Sequence, residues 1–397
     1  MQATSTWRRR SRGDDRAGLE ADASEPRRKT VEHVNGATLL VATRKGLFTW
    51  RREGDAWHMA SSTPDFPGEP VSMVLHDARD GTDYAALNLG HFGVKLWCRG
   101  REANTWTELA PPAFDPQTPV QPDTPTPSVD LLWSLEAAGP DAPGVLWAGT
   151  IPGGLFRSGD HGRSWQLVRS LWDRPERAEW MGGGYDHAGI HSICIDPHDS
   201  RQVMVAVSTG GVWRTRDDGR TWTLAALGME ADYMPPERRL DPNAQDVHRL
   251  VQCRDAPNAL WAQHHNGIFR SLDYGASWRR IHASPSSFGF AVAVDPHDPD
   301  VAWFVPAQRD ACRIPVDARL VVTRTRDGGE SFTSLSQGLP EVPSYDLVYR
   351  HGLDIDATGR RLAMGSTTGA LWISESAGER WQCVSAHLPP IYAVRFV

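Results

Sequence analysis

The chain has 397 residues and a formal net charge of −7, with 40% apolar and 23% charged residues. This composition is typical of a soluble globular protein. Neither an extended basic stripe nor an apolar stretch of about 18 residues occurs, so nucleic-acid binding and membrane insertion are not expected. The many Gly (36), Pro (29) and Trp (17) residues favour short strands joined by tight turns.

Residues 1–36 differ in composition from the rest of the chain, because arginines and acidic residues alternate there with almost no apolar side chain. Such a segment cannot bury enough surface to offset its ordering entropy, so we predict a disordered tail followed by a single domain over 37–397. No apolar region of an export signal follows the basic run. The five cysteines are scattered without a Cys-x-x-Cys pair, which favours reduced thiols and a cytoplasmic location.

A repeat is visible in the middle of the chain. The segments 154–165, 211–222 and 267–278 each contain Ser/Thr-x-Asp-x-Gly-x-x-Trp after a short apolar strand. A fourth copy ends in Phe, a fifth lacks the Asp, and two degenerate copies precede the first. The closing aromatic residues are Trp57, Trp106, Trp165, Trp222, Trp278, Phe332 and Trp381. Their spacing of about fifty residues predicts seven structural units.

The repeated motif has a structural explanation. Its carboxylate can accept hydrogen bonds from backbone N–H groups of a tight turn, its glycine can adopt positive φ, and its tryptophan can pack between sheets. We therefore interpret Asp160, Asp217, Asp273 and Asp327 as fasteners of the hairpin between the third and fourth strands of a unit, and not as catalytic groups.

The first and last units are incomplete in complementary ways. The first begins with residues 38–43, which have the pattern of a second strand without an inner one. The chain ends with residues 391–397, an apolar segment with the pattern of an inner strand. We predict an all-β, seven-bladed β-propeller in which 391–397 completes the first blade, closing the ring and removing an exposed edge.

The repeat resembles the Asp-box (BNR) repeat of sialidases, sortilin-type receptors and bacterial WD40/YVTN/BNR-like propellers. The region 37–397 is similar to the bacterial group that is often labelled sialidase-like. Segments that carry this likeness are 87–93, 189–192, 245–248, 263–267 and 388–390. The resemblance implies the propeller fold, but it does not imply a settled reaction.

Loop lengths distinguish the two faces of the predicted propeller. Links from inner to second strands are short, whereas long insertions occur in links that share the opposite face. These insertions are 110–128, 169–189, 228–245 and 307–319. Long loops on a rigid scaffold commonly form lids or binding loops, so we predict a covered pocket on this lidded face.

Seven histidines are expected at the same mouth of the central channel, because they flank inner strands or follow second strands. We rank them in the order His191, His248, His265, His91, His351, His264 and His187. Imidazoles with nearby carboxylates can bind zinc, iron or copper. We therefore predict a divalent transition-metal site, with Asp246 and Asp186 as catalytic acids or bases. A metal-free general base, and histidines that only bond loop backbones or line a wet channel, are the alternatives.

Aromatic and cationic residues are expected to shape the pocket. Arg350 is the candidate for a catalytic cation, and an anionic substrate would suit it. The candidate binding residues are Phe288, Phe290, Tyr349, Arg44 and Arg309. Alternatively, the two outer arginines are solvated rim charges.

Three functions remain open at this point. The first is an enzyme acting on a small molecule, with hydrolysis or lyase chemistry ahead of redox. The second is a non-catalytic propeller scaffold that binds a protein or assists assembly. The third is a sialidase-like glycoside hydrolase, in which Arg44, Arg309 and Arg350 would imitate the arginine trio of sialidases and Tyr345 or Tyr349 would be the nucleophile. Arg313-Ile-Pro315 repeats part of the Phe/Tyr-Arg-Ile-Pro motif that sialidases carry in the first blade, but it follows Cys312 in a loop of the sixth blade, and we interpret it as coincidental.

Overall fold

A computed structural model describes residues 37–115 and 126–397, which lie within one compact unit, Gly36–Val397. The predicted tail, 1–36, and the centre of the proline-rich insertion lie outside the described residues. No helix in the described ranges is long and apolar enough to cross a membrane.

Within the described residues, twenty-eight strands form seven antiparallel sheets of four. Strands of the first three blades are β1 (Thr38–Thr43), β2 (Gly46–Glu53), β3 (Ala56–Met59), β4 (Val71–Asp77), β5 (Thr82–Asn88), β6 (Val94–Arg99), β7 (Thr107–Leu109), β8 (Leu131–Ala137), β9 (Leu146–Ile151), β10 (Leu155–Ser158) and β11 (Gln166–Leu167). Blades four and five contain β12 (Ile190–Ile195), β13 (Val203–Val207), β14 (Val212–Thr215), β15 (Thr223–Leu224), β16 (Val247–Gln252), β17 (Leu260–His264), β18 (Gly267–Ser271) and β19 (Arg279–Ile281).

The remaining strands are β20 (Gly289–Val294), β21 (Ala302–Pro306), β22 (Val322–Thr325), β23 (Thr333–Leu335), β24 (Leu353–Ile355), β25 (Leu362–Gly365), β26 (Leu371–Ser374), β27 (Gln382–Ser385) and β28 (Ile391–Phe396). Helical structure in the described ranges is limited to α1 (Arg169–Trp172) and the 3-10 turns Gly90–Phe92, Pro175–Glu179, Pro236–Arg238, Pro242–Ala244, Val316–Ala318 and Arg350–Gly352.

The predicted seven-bladed propeller is confirmed, and so is its closure. Strand β28 pairs antiparallel with β1, with Val394 opposite Val41, so the first sheet has the order β28-β1-β2-β3. The largest fully buried side chains in the apolar core are the tryptophans Trp147, Trp213, Trp261 and Trp303. The ring therefore has no free sheet edge at the junction of the two chain ends.

The repeated turn has the hydrogen bonds that its sequence predicts. The carboxylate of Asp217 accepts from Thr215 Oγ1 (2.7 Å), Thr221 N (2.9 Å) and Thr221 Oγ1 (2.6 Å). Gly219 has φ +78°, which permits the turn, and Trp222 is buried beside it. The hydrogen bonds from Thr221 and Thr215 lower the pKa of Asp217 to about 2. This carboxylate is thus occupied within its own turn.

We expect Asp217→Ala to destabilise the protein by about 2 kcal/mol, because a charged acceptor of several hydrogen bonds is lost. Urea unfolding measures the change. Ser376 stands at the equivalent position of the seventh blade and accepts from Arg380 N (3.0 Å). Ser376→Ala is therefore the matched control and should cost less. Equal costs for the two variants would contradict this account of the turn.

Candidate functional site

The inner strands are irregular at one position. In six of the seven blades, an extra residue interrupts pairing between the inner and second strands near the start of the inner strand. A β-bulge of this kind leaves a residue unpaired and redirects its side chain. The seventh blade has a 3-10 turn beginning at Arg350 instead. We call the resulting set the mouth ring: Ser72, Trp133, His191, His248, Phe290, Arg350 and Tyr392.

A cavity of about 1120 Å³ opens at this ring. Its lining includes Ser72, Trp133, Phe290, Arg350 and Tyr392 of the mouth ring. Loops that connect fourth to inner strands, or second to third strands, supply the rest of the wall. The cavity therefore lies on the face that sequence analysis assigned to the long loops. Candidate residues that line it are Arg44, Asp186, His187, Phe290, Tyr349, Arg350 and His351.

A smaller cavity of about 430 Å³ is lined by His265, Phe288 and Arg309. Arg309 therefore lines a different cavity from Arg44 and Arg350. The three arginines that were expected to imitate a sialidase trio do not meet around one cavity.

Three of the predicted chemical groups converge in the fifth blade. Asp246 directly precedes β16, His248 is the bulged residue of that strand, and His265 lies in the turn after β17. Asp246 Oδ2 is 3.3 Å from His265 Nδ1 and 3.9 Å from His248 Nε2. One ligand atom from each side chain lies within 4.8 Å of the other two. Among described residues, this is the set of histidines and carboxylates that could hold a metal ion.

Neighbouring groups fix the protonation of this cluster. His248 Nδ1 lies 2.7 Å from the carbonyl oxygen of Gly289, which can only accept, so Nδ1 carries the proton. Burial lowers the pKa of His248 to about 4, so its Nε2 presents a lone pair at neutral pH. Burial opposes ionisation of Asp246, but the hydrogen bond with His265 and the surrounding imidazoles outweigh it and lower its pKa. The same bond raises the pKa of His265.

Aromatic rings hold the two histidines in place. His248 stacks on Phe290 with 4.5 Å between ring centroids, and Phe288 lies edge-on at 5.6 Å. Tyr233, in the insertion 228–245, packs against His265 at 4.9 Å and donates its hydroxyl to the Ala244 carbonyl at 2.6 Å. The insertion therefore acts as a cover whose tyrosine positions His265.

The other five predicted histidines do not join this group. His191, His264 and His351 are buried, and burial lowers the pKa of each. His351 Nε2 lies 2.9 Å from the His191 carbonyl oxygen, so its proton is held within the wall of the channel. His187 and His91 are exposed, and His91 stacks on Phe92 at 3.9 Å. Chain direction places all seven histidines towards one mouth of the channel, but it does not determine how deeply each side chain is buried.

Several residues of the site were not predicted from the sequence. Trp133 is an inner-strand residue whose bulge turns it into the cavity. Arg313, which we interpreted as part of a coincidental motif, also lines the cavity, and its guanidinium lies 5.3 Å from the Phe290 ring. Its position in the long loop 307–319 of the lidded face was the signal that could have identified it.

Comparisons with known proteins give short and distant similarities. The family profile "Sortilin, neurotensin receptor 3" (Sortilin-Vps10) matches residues 153–311. A xyloglucanase of Paenibacillus sp is 28% identical over 155 residues, which is 36% of this chain and 14% of that protein. This chain therefore spans only a small part of that relative's length.

Solved structures support the fold. An ancestral GH74 enzyme is 18% identical, with a TM-score of 0.53, and the match covers 76% of this chain and 36% of the other. YCF48 bound to a D1 peptide is 15% identical, with a TM-score of 0.53, and the match covers 86% of this chain and 90% of the other. Together with the family match, these likenesses support a β-propeller family.

Proposed function

We propose that the protein is a metal-dependent hydrolase of small molecules, with Asp246, His248 and His265 as the metal ligands. None of the three ligands lines the cavity of about 1120 Å³, but Phe290, which stacks on His248, does, and this cavity is large enough for a drug-sized molecule. The proposal includes membership of the bacterial WD40/YVTN/BNR-like group, which the Asp-containing turns support. The cytoplasmic location stays a prediction; all five cysteines are free thiols.

One observation carries the metal assignment. His248 Nε2 and Asp246 Oδ2, both bearing lone pairs, face each other at 3.9 Å with no proton to share at neutral pH. In addition, Asp246 Oδ1 is buried without a hydrogen-bond partner. Two electron-rich atoms in a buried site repel each other, and a buried unpartnered carboxylate oxygen is costly. A cation between His248 Nε2 and Asp246 Oδ2 would remove the repulsion between them and neutralise the buried carboxylate.

The donor set suits zinc or iron. Two imidazole nitrogens and one carboxylate leave further coordination positions for water or substrate, as in catalytic sites of these metals. A metal bound here would lower the pKa of a coordinated water molecule and supply hydroxide for hydrolysis. The chain itself contributes orientation: the Gly289 carbonyl fixes the tautomer of His248, and Phe290 and Tyr233 fix the two rings.

Glycoside hydrolysis without a metal is the second candidate. It is favoured by the sequence similarity to a xyloglucanase and by three exposed carboxylates in the cavity wall, on Glu69, Asp130 and Asp186. A glycosidase needs a pair of carboxyl groups flanking the bond that it cleaves. Hydrolysis of xyloglucan oligosaccharides by chelator-treated protein, lost in Asp186→Asn or Asp130→Asn, would favour this candidate over the metal.

Zinc titration of chelator-treated protein tests the metal proposal. We expect one zinc ion per chain, and we expect His265→Ala to weaken zinc binding about 100-fold or more, because one of three protein ligands is lost. His187→Ala is the matched control; this histidine is exposed and lies outside the cluster, so its affinity should stay at the wild-type value. A panel of chromogenic esters then measures whether turnover disappears on chelation and returns with zinc or iron.

Two results would overturn the metal proposal. One is wild-type protein that binds neither zinc nor iron(II) after reconstitution. The other is a His265→Ala affinity equal to that of His187→Ala. Zinc binding without turnover of any ester would instead remove the hydrolase assignment and leave a metal-containing scaffold.

A further inference from the structure

A buried cation with no ion-pair or hydrogen-bond partner among the described residues lines the large cavity. Arg350 is 9% exposed and lines this cavity. Its Nε is buried without a hydrogen-bond partner, and no ion pair or hydrogen bond joins its guanidinium to any other described residue. Buried charges in proteins are ordinarily paired, because removing an ion from water costs several kcal/mol.

Aromatic rings flank the guanidinium. Its central carbon lies 4.7 Å from the Trp133 ring and 5.8 Å from the Phe290 ring. Cation–π contacts offset part of the desolvation cost, but they leave the N–H donors of the guanidinium unused. The side chain is therefore held in place by apolar contacts while its hydrogen-bonding capacity remains available.

Other charges of this cavity are differently placed. The carboxylates of Glu69, Asp130 and Asp186 are on exposed residues at the rim. The two other cations, Arg44 and Arg313, are also exposed, and Arg313 is paired with Asp310 at 2.5 Å. Among the charges that line this cavity the buried one is thus positive, whereas the solvated rim carries both signs. The buried carboxylate of Asp246 opposes the lowering of the Arg350 pKa by burial, but it lies outside this lining and forms no ion pair with Arg350.

We infer that Arg350 is the receptor for a carboxylate group of the molecule that this cavity binds. A planar carboxylate can accept two parallel hydrogen bonds from a guanidinium, and one negative charge balances one buried positive charge. A phosphate dianion would leave excess negative charge facing three rim carboxylates. The match in charge and shape therefore favours carboxylates over phosphate esters.

This inference deepens the proposed function and rests on it for the position of the reacting bond. Phe290 contacts Arg350 on one side and stacks on His248 on the other. None of Asp246, His248 and His265 lines the large cavity, so a molecule anchored by its carboxylate at Arg350 would have to extend past Phe290 to reach them. The substrate class is accordingly a carboxylic acid with a hydrolysable bond a short distance from its acid group.

Isothermal titration of chelator-treated protein with sodium benzoate tests the receptor, since no metal and no turnover are involved. We expect saturable one-to-one binding of benzoate, no saturation with the neutral isostere benzamide, and weaker binding of inorganic phosphate. Arg350→Met should weaken benzoate binding at least about 10-fold, because charge-assisted hydrogen bonds are lost. The control Arg380→Met removes an exposed arginine of a third-to-fourth-strand turn and should bind benzoate like wild type.

Three results would contradict the assignment of Arg350 as a carboxylate receptor. Equal binding of benzoate and benzamide, or unchanged benzoate binding in Arg350→Met, overturns it. Tighter binding of phosphate than benzoate, lost in Arg350→Met, overturns the carboxylate assignment. Should Arg350→Met fail to fold, Arg350→Lys and the wild-type comparison of benzoate with benzamide serve instead; the lysine variant should bind more weakly than wild type. The two proposals can fail separately. Failure of the metal site would leave benzoate binding intact, and zinc titration of Arg350→Met measures the metal site without the receptor.

Discussion

The free energy of unfolding of the chelator-treated protein should fall steeply as the pH is lowered from about 6.5 towards 4. Four buried histidines, His191, His248, His264 and His351, have pKa values lowered by burial, to about 4 for His248 and about 3 for His264. In the unfolded chain each binds a proton near pH 6.5, whereas in the folded protein it does not. Stability is therefore lost as the pH falls, at about 1.4 kcal/mol per pH unit for each histidine and at most about 5.5 kcal/mol per unit for all four.

Two histidines with raised pKa values, His265 and His297, do not cancel this effect, because both are already protonated in the folded and the unfolded protein well below pH 6.5. The pKa of His265 is raised by its bond with Asp246, and this histidine adds no slope there. Chemical unfolding at pH 7, 5.5 and 4.5 measures the slope. His351→Gln keeps a donor for the His191 carbonyl but removes one titrating group, so its slope should be about a quarter smaller. Equal slopes for the variant and wild type would show that His351 is not buried in its neutral form.

Much of the fold could be predicted because the repeated residues form hydrogen bonds within their own turn. The Ser/Thr and Asp of each full motif bond within one hairpin, so the sequence of a single unit reports its own structure, as Asp217 and Thr221 show. Closure was predictable as well, since an unpaired strand pattern at 38–43 required the apolar C-terminal strand. The predicted inner strand 391–397 is observed as Ile391–Phe396.

The candidate site was less accessible to prediction, because bulges break the alternation on which strand patterns depend. His248 and Trp133 occupy positions where an extra residue changes which side a side chain faces, and no period of two reveals this change. Loop assignment to one face was sufficient to group Asp246, His248 and His265. It was insufficient to separate them from His191 and His264, because depth depends on packing against neighbouring blades.

The two proposed binding elements are physically coupled through one ring. Phe290 stacks on His248 and flanks Arg350, so a change at this position would alter both the orientation of a metal ligand and the wall of the carboxylate receptor. Neighbouring blades thus contribute a ligand, a shared aromatic wall and a cation in succession around the mouth ring. For His248 and Phe290 this order follows from the bulge that recurs at one position of successive inner strands, whereas Arg350 lies in the 3-10 turn that replaces the bulge in the seventh blade.

A single charge in the closing strand should be enough to open the ring. Val394 is 4% exposed, lies opposite Val41 of β1, and belongs to an apolar cluster that also contains Ile373 and Leu371 of the seventh blade. Val394→Asp would bury a carboxylate without a partner and remove apolar contacts between the two blades. We expect it to lower the free energy of unfolding by about 4 kcal/mol or more.

The matched control lies three residues further along the chain, directly after β28. Val397 is 46% exposed and contributes only its backbone N–H, which donates to the Thr38 carbonyl at 2.9 Å. Val397→Asp introduces the same charge at the same end of the chain, so it should change stability by no more than about 0.5 kcal/mol. Urea unfolding compares the two variants, and limited proteolysis reports whether β1 becomes accessible. Equal stabilities would mean that the C-terminal strand does not close the ring in solution, because a buried carboxylate in the blade junction cannot be tolerated as well as one in water.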